Sequence, residues 1–192
     1  MISIRQGRGA VVQPVTGWNL LDPLVLSALI DHRPTPEMFE QLMAVRLMIE
    51  PELARTAAAA ITAAQLDAMG NLLELMADRV DDPEAYLDLD VEFHRLVADA
   101  SPNLIARAIL GSIEQPLRSS RRLTNTIPHA LDRAQHDHHA IHDRLRDRDQ
   151  DGAAESMRAH LLWSEHQLLD RWRQRSKSGR RGPAGSPRTK RG

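Results

Sequence analysis

The 192-residue chain contains no cysteine, which excludes a disulfide framework and any thiolate metal site and suits a reducing, cytoplasmic setting. Aromatic residues make up only 3% of it, too few for the stacking platforms that bind single-stranded nucleic acids. No apolar run approaches the length of a membrane-spanning helix, and Met1 to Val12 lacks the apolar stretch of a secretory signal. Lysine is nearly missing: apart from Lys177 and Lys190 every cation is an arginine, a bias that fits codon usage in a GC-rich genome.

Charge is present but unevenly placed. Nine of the 25 cations lie between Arg171 and Gly192 with no acid among them, so the preceding residues hold 16 cations against 26 acids, a net of −10. Phosphate contacts need cations on the folded surface, so an acidic body with a basic tail makes a poor nucleic-acid-binding globule. The length suits one domain with a real core.

Helical spacing dominates the chain. Residues 1–17 are the exception: Gly7 and Gly9 lead into Ala10-Val11-Val12, which reads as the end of a hairpin. Asp22 then caps a short helix opened by Pro23, and Arg33-Pro34-Thr35-Pro36 breaks it. Beyond the break, Phe39, Leu42, Met43 and Leu47 recur at helical spacing, and Thr62 with Gln65 marks a capping box. Asp82-Pro83 starts the helix that carries Asp90 and His94. One helix is predicted from the Ser101-Pro102-Asn103 break to about Arg122, one after Pro128, and a last one capped by Asp149 or Asp151. The expected fold is all-α, an antiparallel bundle of six or seven helices over residues 18–175, followed by a disordered basic tail over 176–192.

Nine histidines stand out, five of them between His129 and His142. Asp90 and His94, four apart, leave one helix face together with Leu87 and Val97. His138 lies between Ala134 and Ile141, and His160 between Met157 and Leu161, both on inward sides. A lone buried histidine is ordinarily a hydrogen-bonded core residue. One carboxylate and three imidazoles turned into the same bundle instead point to a divalent cation, since a buried unpaired carboxylate is costly. Such N/O ligands suit zinc first, with nickel, cobalt, iron and manganese also acceptable. His139 is expected at the surface, while His142, one turn from His138, could line the same cavity. Neutral-imidazole ligands predict that metal binding weakens as pH falls through the histidine range near 6.5.

Four segments in order carry a resemblance: Arg46-Leu-Met-Ile-Glu50-Pro-Glu-Leu-Ala-Arg; Asp90 to His94 with the following Arg-Leu-Val-Ala-Asp-Ala-Ser101; Asp137-His138-His-Ala-Ile141; and Gly152-Ala-Ala-Glu-Ser-Met157-Arg-Ala-His160-Leu. Across residues 36–172 the chain resembles the C-terminal effector-binding (FCD) domain of the FadR branch of the GntR family of bacterial transcription regulators. That resemblance implies a divalent metal held by Asp90, His94, His138 and His160 at the base of a ligand cavity. It also implies an effector-binding role for Arg46, with Glu50 as a further cavity residue; by spacing alone Arg46 would pair with Glu50 at a helix surface. The implied partners are a small organic or sugar acid and a second copy of the chain. The segment Gly7 to Pro14 with Trp18 to Pro23 resembles the end of a winged-helix wing and its linker. The DNA-reading helices that precede such a wing are therefore expected to be largely missing, through a misplaced start or a genuine truncation, and no operator-specific binding is expected of this chain. Two other readings remain open on sequence. One is a metal-dependent hydrolase or lyase with Glu50 or Asp137 as base; the other is a metal-free dimerisation module.

Overall fold

The computed structural model describes residues 2–5, 9–32 and 35–179. It begins with an antiparallel hairpin, β1 (Ile2–Arg5) and β2 (Gly9–Val12), in which Ile2 pairs with Val12 and Arg5 with Gly9. The glycine turn expected at Gly7 lies outside the described residues. β2 is exposed along its whole length. A 3-10 turn at Val15–Gly17 follows, and the Trp18 indole donates to the Gln13 carbonyl over 2.8 Å.

Eight α-helices make up the rest of the described residues: α1 (Pro23–His32), α2 (Pro36–Ala60), α3 (Ala63–Ala77), α4 (Pro83–Ala100), α5 (Leu104–Ser112), α6 (Glu114–Asn125), α7 (Ala130–Arg146) and α8 (Gln150–Gly179). The expected all-α bundle is what forms. The eighth helix arises because the segment expected as one helix to Arg122 is two, broken at Ile113. Pro116 supplies the reason: it has no N–H to bond the Ser112 carbonyl, and its ring crowds that carbonyl. α8 runs through Gly179, so helix covers the first residues of the expected tail, and the remainder from 180 lies outside the described residues.

The starts of the helices follow local chemistry. Thr35 accepts from the Met38 N–H ahead of Pro36, and Asp82 accepts from the Ala85 N–H ahead of Pro83. Thr62 and Gln65 satisfy each other's backbone donors in a full capping box. Asp149 takes the Gly152 N–H at 2.9 Å, which settles the choice of cap for α8.

Side-chain pairs fix the directions. α2 and α8 run antiparallel, with Phe39 beside Trp172 at one end (ring centroids 5.8 Å apart) and Arg55 paired to Asp151 at the other. α3 and α7 are antiparallel too, since Gln135 donates to the Leu73 carbonyl and His142 lies 3.2 Å from the Leu66 carbonyl. α4 and α6 are pinned by Glu84 to Arg122 and Asp88 to Arg118. Two apolar clusters result. One gathers Met69, Leu73, Tyr86, Phe93, Ile141 and Leu161; the other gathers Ile30, Phe39, Leu53, Ile113, Leu117 and Leu168. The helices that supply both clusters also bury Arg46, Glu50, Asp90, His94, Arg121, Asp137, His138 and His160.

Candidate metal centre

Asp90 and His94 leave α4 one turn apart, His138 comes from α7 and His160 from α8, and all four are buried. One potential ligand atom from each lies within 4.8 Å of every other. Ligands about 2.1 Å from one ion stand about 3.4 Å apart at tetrahedral angles and about 4.2 Å apart when opposed, so small inward movements close the set. The imidazole rings face one another, with centroids 4.7 Å apart for His138 and His160 and 5.3 Å apart for His94 and His160. His138 Nε2 is 3.3 Å and His94 Nε2 4.0 Å from Asp90 Oδ1. Among the described residues neither Nε2 has a hydrogen-bond partner despite complete burial. Buried polar atoms are ordinarily satisfied, so two orphaned nitrogens beside one carboxylate fit a cation.

The opposite edges of these groups are engaged. His94 Nδ1 donates to Glu50 Oε2 at 2.6 Å, while Glu50 Oε1 accepts from Arg46 Nε at 2.5 Å. Gln135 donates its amide N–H to the Leu73 carbonyl and accepts from the Tyr86 hydroxyl at 3.3 Å; Tyr86 oxygen lies 3.5 Å from His138 Nδ1 and can accept from it. His160 Nδ1 lies 3.6 Å from Asp137 Oδ2, whose other oxygen accepts from Arg133. The second oxygen of Asp90 pairs with Arg121 Nε at 3.0 Å. Each of the four groups thus has a neighbour from another turn or helix behind it, the arrangement that sets tautomer and ring angle at metal sites.

Electrostatics put Asp90, His94 and His138 in the protonation state that a metal requires. Burial, reinforced by Arg121, pushes His94 down to about 4 against the upward pull of Glu50 and Asp90. Burial with the neighbouring His160 and His94 takes His138 well below its ordinary range. Burial alone would raise Asp90, but Arg121, His94 and His160 outweigh it and hold the carboxylate ionised. Glu50 behaves likewise: burial opposes ionisation, and Arg46 and His94 overcome it, leaving an anion that accepts two hydrogen bonds. The expected weakening near pH 6.5 therefore moves lower for His94 and His138, because the fold already keeps both neutral there.

The other sequence-derived site residues divide. Arg46 is paired with Glu50, as spacing suggested, yet both are only 2% exposed and lie inside the bundle; among the described residues Arg46 Nη2 has no hydrogen-bond partner. His142 stands apart, in a groove between α3 and α7 with Leu66, Asp67 and Gly70, and is not among the four clustered groups. His139 is at the surface, as expected. Arg121, Tyr86 and the positioning role of Asp137 were not recognised from sequence; Arg121 sits on α6, whose arginines share no spacing with the ligands. Beside the four groups lies a cavity of about 30 Å³, lined by Arg46, Asp90, Arg121 and His160 together with Ser120 and Thr124.

Residues 41–162 match the FCD domain, and the chain belongs to this family of GntR-type regulators. It is 27% identical over 175 residues to the galactonate operon transcriptional repressor of Escherichia coli (strain K12), covering 88% of this chain and 75% of that one. To the HTH-type transcriptional repressor NanR of Citrobacter rodentium (strain ICC168) it is 35% identical over 131 residues, 64% of this chain and 47% of the repressor. The chain thus spans about half of that relative. These relatives are transcriptional repressors, not enzymes. The solved structure of Streptococcus agalactiae GntR shares the fold, with a TM-score of 0.61 at 24% identity over 86% of this chain and 74% of that one.

Proposed function

We propose that this chain is the ligand-sensing domain of a FadR-type transcription regulator, and that it binds a small organic or sugar acid through a divalent metal held by Asp90, His94, His138 and His160. The observation that carries this reading is the pair of buried imidazole nitrogens, His94 Nε2 and His138 Nε2, that face one ionised carboxylate with no hydrogen-bond partner among the described residues. When bound, a five- or six-coordinate ion supplies open positions for a carboxylate or hydroxyl oxygen. The protein's own part is to keep His94 and His138 neutral by burial and to orient the three imidazoles through Glu50, Tyr86 and Asp137. Arg46 and Arg121 add cationic donors at the edge of the cavity, and planar guanidinium forks suit a carboxylate. Ser120, Thr124, Asn125 and Ser164 line the same cavity and offer hydroxyl and amide groups to a polyhydroxy acid. The name of the galactonate operon repressor points the same way. A cavity of about 30 Å³ holds little more than water, so the acid must widen it on binding.

The remaining parts of the proposal are a cytoplasmic homodimer whose operator contacts belong to a winged-helix domain, of which the hairpin at residues 2–12 is the wing. No helix among the described residues is long and apolar enough to cross a membrane. Elemental analysis of untagged protein tests the metal: about one zinc, nickel, cobalt, iron or manganese ion per chain is expected, lost in His94→Ala and His160→Ala. Calorimetry of the metal-loaded chain with hydroxy and sugar acids tests the effector. An Arg46→Ala variant that binds the responding acid as tightly as wild type removes Arg46 from the site.

A further inference from the structure

The cavity beside the four clustered groups is nearly closed, and its lining shows on which side solvent lies. Thr124, Asn125, Trp163 and Ser164 are partly exposed, whereas the other lining residues are buried. The four exposed members belong to the end of α6 and the middle of α8, and Ala130 and Ala134 put the start of α7 in the same wall. Arg133 stands beside these alanines. Its guanidinium carbon lies 5.9 Å from the centre of the Trp163 ring, and its Nε donates to Asp137 Oδ1 at 2.8 Å. Asp137 Oδ2 lies 3.6 Å from His160 Nδ1. Arg133 is 48% exposed and Asp137 8%, so these contacts run from solvent to the cluster. A guanidinium resting on an indole face and one carboxylate is held by two modest attachments, enough to favour a closed state and weak enough to release.

The adjoining wall is loosely tied. Side chains of Thr35, Thr62, Asp82 and Asn103 cap α2, α3, α4 and α5, but Ile113 and His129 give α6 and α7 no such cap. His129, in the turn from α6 to α7, holds φ at 60°, a conformation unfavourable for a residue with a side chain. The Asn125 amide reaches the Pro83 carbonyl at 3.4 Å.

We propose that the cavity and its cluster are entered between the end of α6, the start of α7 and α8, and that Arg133, attached to Trp163 and Asp137, is the latch on this entrance. Release of Arg133 frees the Trp163 indole, which swings outward and uncovers His160 one turn before it on α8. The latch gives the sensing reading its way in, but it is a property of the packed helices and operates without metal.

The absence of cysteine makes the test clean. Diethyl pyrocarbonate, a small reagent that acylates unprotonated imidazole, is applied to the chelator-treated full chain while mass spectrometry follows each histidine. His160 should react about fivefold faster in Arg133→Ala and in Trp163→Ala, the change in an opening equilibrium when a surface cation–π contact is lost. The exposed His139 should react as in wild type, and Trp163→Phe, which keeps a ring face, should stay close to wild type. In Arg133→Cys/Trp163→Cys a reducible thiol crosslinker should slow His160 at least tenfold, with recovery on reduction; slowing of this kind separates a latch from a loosened fold. Stopped-flow mixing with zinc alone gives a second readout: in Arg133→Ala capture and release should accelerate by the same factor, leaving the dissociation constant within twofold. His160 labelling at the wild-type rate in both alanine variants, or a crosslinked form that reacts like its reduced state, overturns the proposal. So does an Arg133→Ala protein whose zinc dissociation constant shifts at an unchanged capture rate, which would make Arg133 a support for His160 instead. A wild-type chain that takes up no zinc removes the metal reading alone, and the labelling rates then decide the entrance by themselves.

Discussion

Replacing Glu50 by glutamine probes the centre without touching any of the four proposed ligands. The side chain is 2% exposed and its two oxygens serve two donors, Arg46 Nε at 2.5 Å and His94 Nδ1–H at 2.6 Å. Glutamine keeps the volume but has one acceptor and one NH₂ group, so one donor must now face another donor. If the NH₂ turns to His94, the imidazole shifts its proton to Nε2 and loses the lone pair aimed at Asp90. If it turns to Arg46, a buried guanidinium loses its counter-ion. Loss of an orienting partner behind a metal-bound histidine costs about 10- to 100-fold in metal affinity. Breaking a buried ion pair from one side costs about 3–5 kcal/mol, with the retained acceptor placing this variant toward the low end. Competition against a chromophoric chelator measures the first quantity and urea unfolding of the metal-free chain the second. A Glu50→Gln protein that holds zinc within twofold of wild type, with an unchanged unfolding midpoint, would falsify the assignment of Glu50 as the group that positions His94.

Three further outcomes are expected. The His94 imidazole sits near 4 in the folded chain against about 6.5 when unfolded, so the unfolded state binds more protons between those values. Metal-free stability is then fully present above pH 6.5 and falls as pH drops toward 4, by up to about 3 kcal/mol from this residue; urea midpoints unchanged from pH 7 to 4.5 contradict it. His142→Ala should leave metal stoichiometry intact because His142 lies outside the cluster, whereas His138→Ala should abolish it; equal losses in both would mean that His142 is a ligand. Thr62→Ala removes one half of the α3 capping box and should cost about 1 kcal/mol in chemical denaturation, with metal affinity unchanged.

Much of the local structure was legible in the chain because its causes are local. Thr62 with Gln65 and Asp82 with Pro83 start the helices where their chemistry says, and Asp90 with His94 share a face because they are four apart. His138 and His160 were placed inward by their apolar neighbours, and both are buried. The break between α5 and α6 was missed although Pro116 is a local signal; it stops the preceding helix at Ser112 rather than at its own position. Arg46 shows the boundary of such reasoning. Spacing foresaw its pair with Glu50, but the placement of that pair in the interior comes from helices packed around α2.

The uneven charge and the missing cysteine and aromatic residues narrowed the chain to an acidic helical domain, and periodicity turned an aspartate and three histidines inward. Those properties follow from composition and from a period of 3.6 residues, which a sequence carries whole. Tertiary packing alone brought the four groups within 4.8 Å of one another and set Arg121 of α6 against Asp90 of α4. It also placed Tyr86 and Asp137 behind two of the imidazoles and sent His142 to a different groove. These depend on how far one helix slides and turns against the next, a relation between residues tens of positions apart that no single helix encodes.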